Sequence, residues 1–121
     1  MAVKQNKYVT VVIDIDTKTK KIKPVADAHL KFNQPTEPDS VRWEIKRFPA
    51  GAKTVMIKWE VDSPFLHLGA EPADGKTAKA VLIGTGNTRV EGLFKYSVLF
   101  LSSTGNIVTG VDPRIINDPV P

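Results

Sequence analysis

Two histidines, His29 and His67, are the imidazoles available for acid–base or nucleophilic chemistry near neutral pH in this 121-residue chain, which has no cysteine. A nucleophilic site would need a Ser or Thr activated by one of them, with a carboxylate to orient the ring. No Gly-x-Ser-x-Gly elbow surrounds any serine. His29 stands between Ala28 and Leu30 and should point away from both, into solvent; His67 stands among Phe65, Leu66 and Leu68 in an irregular stretch. Both read as structural or exposed, so no catalytic residue is assigned. The lack of Cys removes disulfides, thiolate nucleophiles, Cys-ligated zinc, iron–sulfur clusters and blue copper from consideration.

Two further patterns resemble ligand sites and fall short of them. Asp14-x-Asp16 puts two carboxylates on one strand face, as a Ca²⁺ or Mg²⁺ site would. Further oxygen ligands are wanting, and Lys18, Lys20, Lys21 and Lys23 follow, so pairing with these lysines explains the carboxylates better. Gly84-x-Gly86 lacks the third glycine and the helix of a dinucleotide loop, since Asn87-Thr88-Arg89 leads into another strand. Neither a metal nor a cofactor is expected.

What remains is surface. Lys18, Lys20, Lys21 and Lys23, with Lys4 and Lys7 adjacent across the sheet, form the best candidate interaction patch. The formal charge of +4 is uneven: residues 1–60 hold twelve Lys/Arg against seven Asp/Glu, and the remainder five against six. Such asymmetry can mark a face for acidic partners. A second candidate is the stretch from Asp62 to Lys76, with apolar Phe65 and Leu66 beside His67. Ordered loops longer than about 12 residues are often functional. Phe65 and Leu66 either plug the end of the core or contact a protein partner.

The elements that position these residues read as strands throughout. Tyr8–Ile15 is β-branched, and Asp16–Lys20 is a polar turn returning through Lys21-Ile22-Lys23 as a hairpin that Pro24 ends. Ala26, Ala28, Leu30 and Phe32 share a face; 33–40 is a proline-containing loop. Val41, Trp43 and Ile45 alternate with charges, the pattern of a one-sided antiparallel sheet. Val55, Ile57, Trp59 and Val61 repeat it after the Pro49–Gly51 turn. Lys79–Ile83 is a short strand and Gly84–Asn87 a loop. Val90–Leu101, apolar on both sides, should be a central strand; Ile107–Val111 pairs with it, and Asp112-Pro113 interrupts the chain before a proline-rich tail. About seven strands without a helix predict one all-β domain over 1–121, an antiparallel Greek-key sandwich with flexible ends at 1–7 and 118–121.

Composition agrees, at 41% apolar and 25% charged, and no apolar run approaches the ~20 residues of a membrane span. The polar, basic residues 1–8 and the broken apolar stretch after them do not form a signal peptide. The cytoplasm is the default compartment, with export by another route left open.

Val41-x-Trp43, Phe48-Pro49-x-Gly51, Ser63-Pro64-Phe65, Gly92-x-Phe94-x-Tyr96-x-Val98 and Gly105…Asp112-Pro113-x-Ile115 occur in order. Together they resemble small bacterial β-sandwich proteins of cupredoxin-like or immunoglobulin-like type, most of uncharacterised function. A cupredoxin has a copper-ligating Cys where this chain has Val98, and no His follows. An immunoglobulin-type tyrosine corner would place Tyr at Phe94, and Tyr96 is out of register for it. The resemblance thus implies a scaffold without its metal. The expected function is a non-enzymatic protein-interaction or structural module with an unidentified protein partner, monomeric or weakly dimeric. Nucleic-acid or other polyanion binding through residues 18–23 is the alternative. Most aromatics fall on expected core faces, leaving few for stacking on bases.

Overall fold

The computed structural model describes residues 8–32, 38–71 and 78–119. Lys4, Lys7, the expected end 1–7, residues 120–121 of the expected end 118–121, and parts of the two long connections, 33–37 and 72–77, lie outside the described residues. The described residues are all-β with no helix, and they form nine strands: β1 Tyr8–Ile13, β2 Ala28–Lys31, β3 Ser40–Ile45, β4 Thr54–Trp59, β5 Phe65–Glu71, β6 Ala80–Asn87, β7 Gly92–Leu101, β8 Ile107–Val111 and β9 Arg114–Asp118.

Two sheets result. The first has the order β1-β3-β6-β5; the second has the order β2-β9-β7-β4, with β8 also on β7. Both are mixed, because β1 pairs parallel with β3 and β2 pairs parallel with β9. This corrects the expectation of about seven strands in purely antiparallel order. The alternation of Val41, Trp43 and Ile45 reports a sheet buried on one face, which β3 is, but it carries no information on strand direction.

Two strands arise where none was expected. Residues 65–71 (Phe-Leu-His-Leu-Gly-Ala-Glu) lack alternation and contain weak strand formers, yet they pair with β6 from Phe65 opposite Asn87 to Glu71 opposite Val81. Pairing with a formed neighbour overrides local propensity here. Residues 114–118 form β9, held by β2 on one side and β7 on the other, so Asp118 is the last residue of a strand.

Strand β7 is central, as its two apolar faces require. On one side β4 pairs with it from Thr54 to Trp59. On the other, Val98 faces Val111 and Phe94 faces Ile115 in the same register, so β8 and β9 form one line interrupted at Asp112-Pro113. The interruption is bridged by the Tyr96 N–H donating to the Pro113 carbonyl at 3.2 Å and by Ser97 Oγ on Asp112 at 2.6 Å.

The core lies between the sheets. Trp43 on β3 donates its indole N–H to the Tyr96 hydroxyl on β7 at 2.9 Å, and the two rings pack edge to face with centroids 5.7 Å apart. Val41, Ile45, Val98, Phe100, Leu30 and Ile115 are fully buried around them. Val98, at the position of the copper ligand in the cupredoxin comparison, is core. Val61, expected on the inner face after Trp59, is instead 83% exposed, because β4 ends at Trp59.

Candidate functional site

The turn after β1 is built by one side chain. Asp16 Oδ1 accepts from the backbone N–H of Lys18 at 2.8 Å and of Thr19 at 3.0 Å, while its backbone exchanges hydrogen bonds with Lys20 and Lys21. Those N–H donors, aided by the charge of Lys23, hold the Asp16 carboxyl below its ordinary pKa of 3.8. Lys20 ends the turn at φ 62°, and Ile15 and Ile22 form the single bridge pair of the expected hairpin. Asp14 takes the pairing role expected of both carboxylates, meeting Arg47 at 3.2 Å and Lys23 at 4.0 Å. Asp16 is committed to the turn.

The hairpin stands over the loop that follows β3, which Lys46 ties to β1 by donating its N–H to the Ile13 carbonyl at 2.8 Å. Between hairpin, loop and β8 runs a groove of about 890 Å³. Lys20, Lys21 and Arg47 line it on the basic side, and Ile15, Ile22, Phe48 and Pro49 supply apolar surface. Its third wall is four consecutive residues of β8, Val108 to Val111. No carboxylate lines it, and the ammonium groups of Lys18, Lys20 and Lys21 make no ion pair among the described residues.

The expected contact residues therefore divide. Lys20 and Lys21 reach the groove; Lys18 and Lys23 line a smaller depression of about 290 Å³ beside it, with Arg47 common to both. Phe65, Leu66 and His67 stand on β5, at the far edge of the first sheet from β1. Three strand spacings separate those edges, about 14 Å. Phe65 is buried against Trp43, as a core plug should be, whereas Leu66 is 70% exposed and His67 is exposed. The two candidate regions are not one site.

The other chemical candidates disperse. His29 faces solvent as expected and meets Asp118 Oδ2 at 3.0 Å. No group of three or more His, Asp or Glu able to hold a metal ion occurs among the described residues. The Gly84-x-Gly86 pair lies within β6, and packing explains its first glycine: a Cβ on Gly84 would stand 2.5 Å from Cδ2 of Phe65. No helix among the described residues is long and apolar enough to cross a membrane.

Sequence reasoning missed the groove because two of its walls carry no motif. Phe48 and Pro49 signal only a turn, and the edge of β8 is a backbone feature that no side chain announces. Comparison of the chain with protein-family models, with curated proteins and with solved structures returned no match.

Proposed function

We propose that this chain is a non-enzymatic protein-interaction module whose contact surface is the groove between the lysine hairpin, the loop after β3 and β8. The scaffold is a β-sandwich of cupredoxin-like or immunoglobulin-like kind without a metal, a reading supported by two sheets over one core and by the burial of Val98. The observation that carries the functional reading is that uncommitted lysine charge, apolar surface and an open strand edge border the same concavity. Exposed apolar surface rimmed by charge is the signature of a contact site.

Photo-crosslinking tests it. Benzoylphenylalanine at Val108 and at Thr17 in the producing cell should give protein adducts that disappear in a Lys20→Glu/Lys21→Glu background. The same group at Met56, on the exposed face of β4, should give none. Equal adducts at all three positions, or none at any, would overturn the reading.

Binding of a polyanion through Lys18, Lys20 and Lys21 is the second reading, favoured by the absence of ion pairs at those ammonium groups among the described residues. It predicts retention on heparin that falls steeply with salt. Adducts to RNA alone in the crosslinking experiment would support this second reading and displace the first.

A further inference from the structure

We propose that the groove takes an extended acidic peptide segment of a partner protein, which adds to the second sheet as a strand along the open edge of β8. The proposal rests on the reading of the groove as the contact surface.

Strand geometry points to the edge. Successive side chains of a strand point to opposite faces, so four consecutive residues lining one groove mean that the edge of the strand borders it. Because β8 and β9 are one interrupted line on β7, they share an outer edge. β2 covers that edge from Ile115 to Asp118, and among the described residues no strand covers it from Val108 to Val111. The lane that β2 occupies is thus open beside β8 for about 13 Å, at ~3.3 Å per residue.

Among the described residues the chain leaves this lane open. Residues on the way to β2 are held by the segment that follows β1: the Lys23 N–H donates to the Asp14 carbonyl at 2.9 Å, and Ile22 bridges Ile15. Pro24 follows, which has no N–H to give a ladder. The chain crosses between sheets there and joins β9 only at Ala28. An open edge offers alternate N–H and C=O groups to an incoming strand, and side-chain pockets select its sequence.

Charge and apolar surface set the chemistry of the occupant. Lys20 and Lys21 make no ion pair among the described residues, Arg47 beside them is paired with Asp14 at 3.2 Å, and no carboxylate is among the groove's described lining residues. Ile15, Ile22 and Phe48 supply the apolar wall. A segment in which aliphatic and acidic residues alternate presents one set to each.

The test measures binding of a labelled peptide of alternating valine and glutamate to the full chain by fluorescence anisotropy at low salt. A valine–glutamine peptide is the neutral control. The acidic peptide should bind, and the neutral one should bind about tenfold or more weakly. Lys20→Glu/Lys21→Glu, two exposed substitutions, should weaken the acidic peptide at least as much while leaving the melting temperature in place. Only one edge of an added strand meets β8. N-methylation of one alternate set of peptide amides should therefore abolish binding, and methylation of the other set should preserve it. Amide shifts should appear at Val108–Val111. Equal binding of both methylated series, or shifts confined to residues 18–23, would overturn strand addition and leave an anion site that heparin should then compete for. Failure of the peptide with groove-specific crosslinks intact would sink this proposal alone; failure of both would sink the interaction reading as well.

Discussion

The side-chain amides of Asn87 and Asn117 hydrogen-bond each other in both directions, at 2.7 and 2.9 Å, and so clasp β6 of the first sheet to β9 of the second. Asn117 is almost fully buried, and its amide also donates to the Val90 carbonyl at 2.8 Å; Asn87 donates to the Asp39 carbonyl at 3.0 Å. A buried polar pair stabilises a fold only when its members are satisfied, as these are. Asn117→Ala removes the Asn117 donor from the Val90 carbonyl and both bonds to Asn87, which keeps its bonds to the Asp39 carbonyl and the Arg89 N–H. The expected loss is about 1 kcal/mol or more, the usual net contribution of the hydrogen bonds removed. Urea denaturation measures it, and a loss below about 0.5 kcal/mol, the range of ordinary surface changes, would show that the clasp does not couple the sheets.

The Trp43–Tyr96 bond makes a second prediction, on pH. Burial raises the Tyr96 phenol from 10.0 to about 12, against the opposing pull of the Trp43 indole and with a further push from the charge of Asp27. The folded state thus prefers the neutral phenol more than the unfolded state does. Its contribution is complete below pH 10 and is lost as pH rises towards 12, amounting to roughly 2 kcal/mol. Absorbance at 295 nm should show one tyrosine titrating near 12, and stability should fall across that window. In Tyr96→Phe this part of the slope should vanish; an unchanged slope would assign it to other groups.

Packing around Trp43 and Trp59 differs, and so should the cost of removing each. Trp43 is fully buried and touches Trp59, Phe65 and Tyr96, with ring centroids 5.7–6.4 Å away. Trp43→Ala should cost about 3–5 kcal/mol. Trp59, at the partly buried end of β4, should cost less, about 2 kcal/mol. Near-native melting of Trp43→Ala would contradict the core arrangement.

Much of this core was legible from alternation alone. Val41, Trp43 and Ile45 declare a buried face of β3, and the two-sided apolarity of β7 declares a central strand; both hold. Gly84 misled because a glycine reads as a loop, whereas here it makes room for Phe65 within a strand. β5 and β9 were illegible because their order comes from pairing with β6, β7 and β2, and not from any alternation in their own residues. At the candidate site the lysines of the hairpin were visible as a charge run. The open edge beside them was not, since it depends on where β2 begins and on the register shared by β8 and β9.

Gly84 and Phe65 also make a pair that mutagenesis can read. Gly84→Ala drives a methyl into the ring of Phe65, which is buried against Trp43 and cannot swing away freely. Overpacking of this kind typically costs about 1–3 kcal/mol. In a Phe65→Ala background the methyl meets space, so Gly84→Ala should cost little, and the double-mutant cycle should show coupling of about 1 kcal/mol or more. Additive losses would mean that the glycine answers to something other than the ring.

The hairpin that presents Lys20 and Lys21 depends on the Asp16 carboxylate, and this fixes its response to acid. The carboxyl is held below 3.8 by the N–H groups of Thr19 and Lys18, then by the charge of Lys23. A depressed carboxyl pKa means that the turn is supported while Asp16 is ionised, fully so above the unfolded value, and loses that support as pH falls through the folded value. Amide resonances of Lys18 and Thr19 should therefore move together below pH 4, while those of the core strands stay in place until global acid unfolding. Asp16→Ala should loosen the turn at every pH and shift Lys20 and Lys21 without lowering the melting temperature by more than a few degrees, because the bridge of Ile15 to Ile22 and the core beneath persist. If the strand-addition proposal holds, the same substitution should weaken the acidic peptide while leaving its dependence on backbone N-methylation unchanged. Loss of that dependence in Asp16→Ala would show that the hairpin positions the edge of β8 as well as the charges above it.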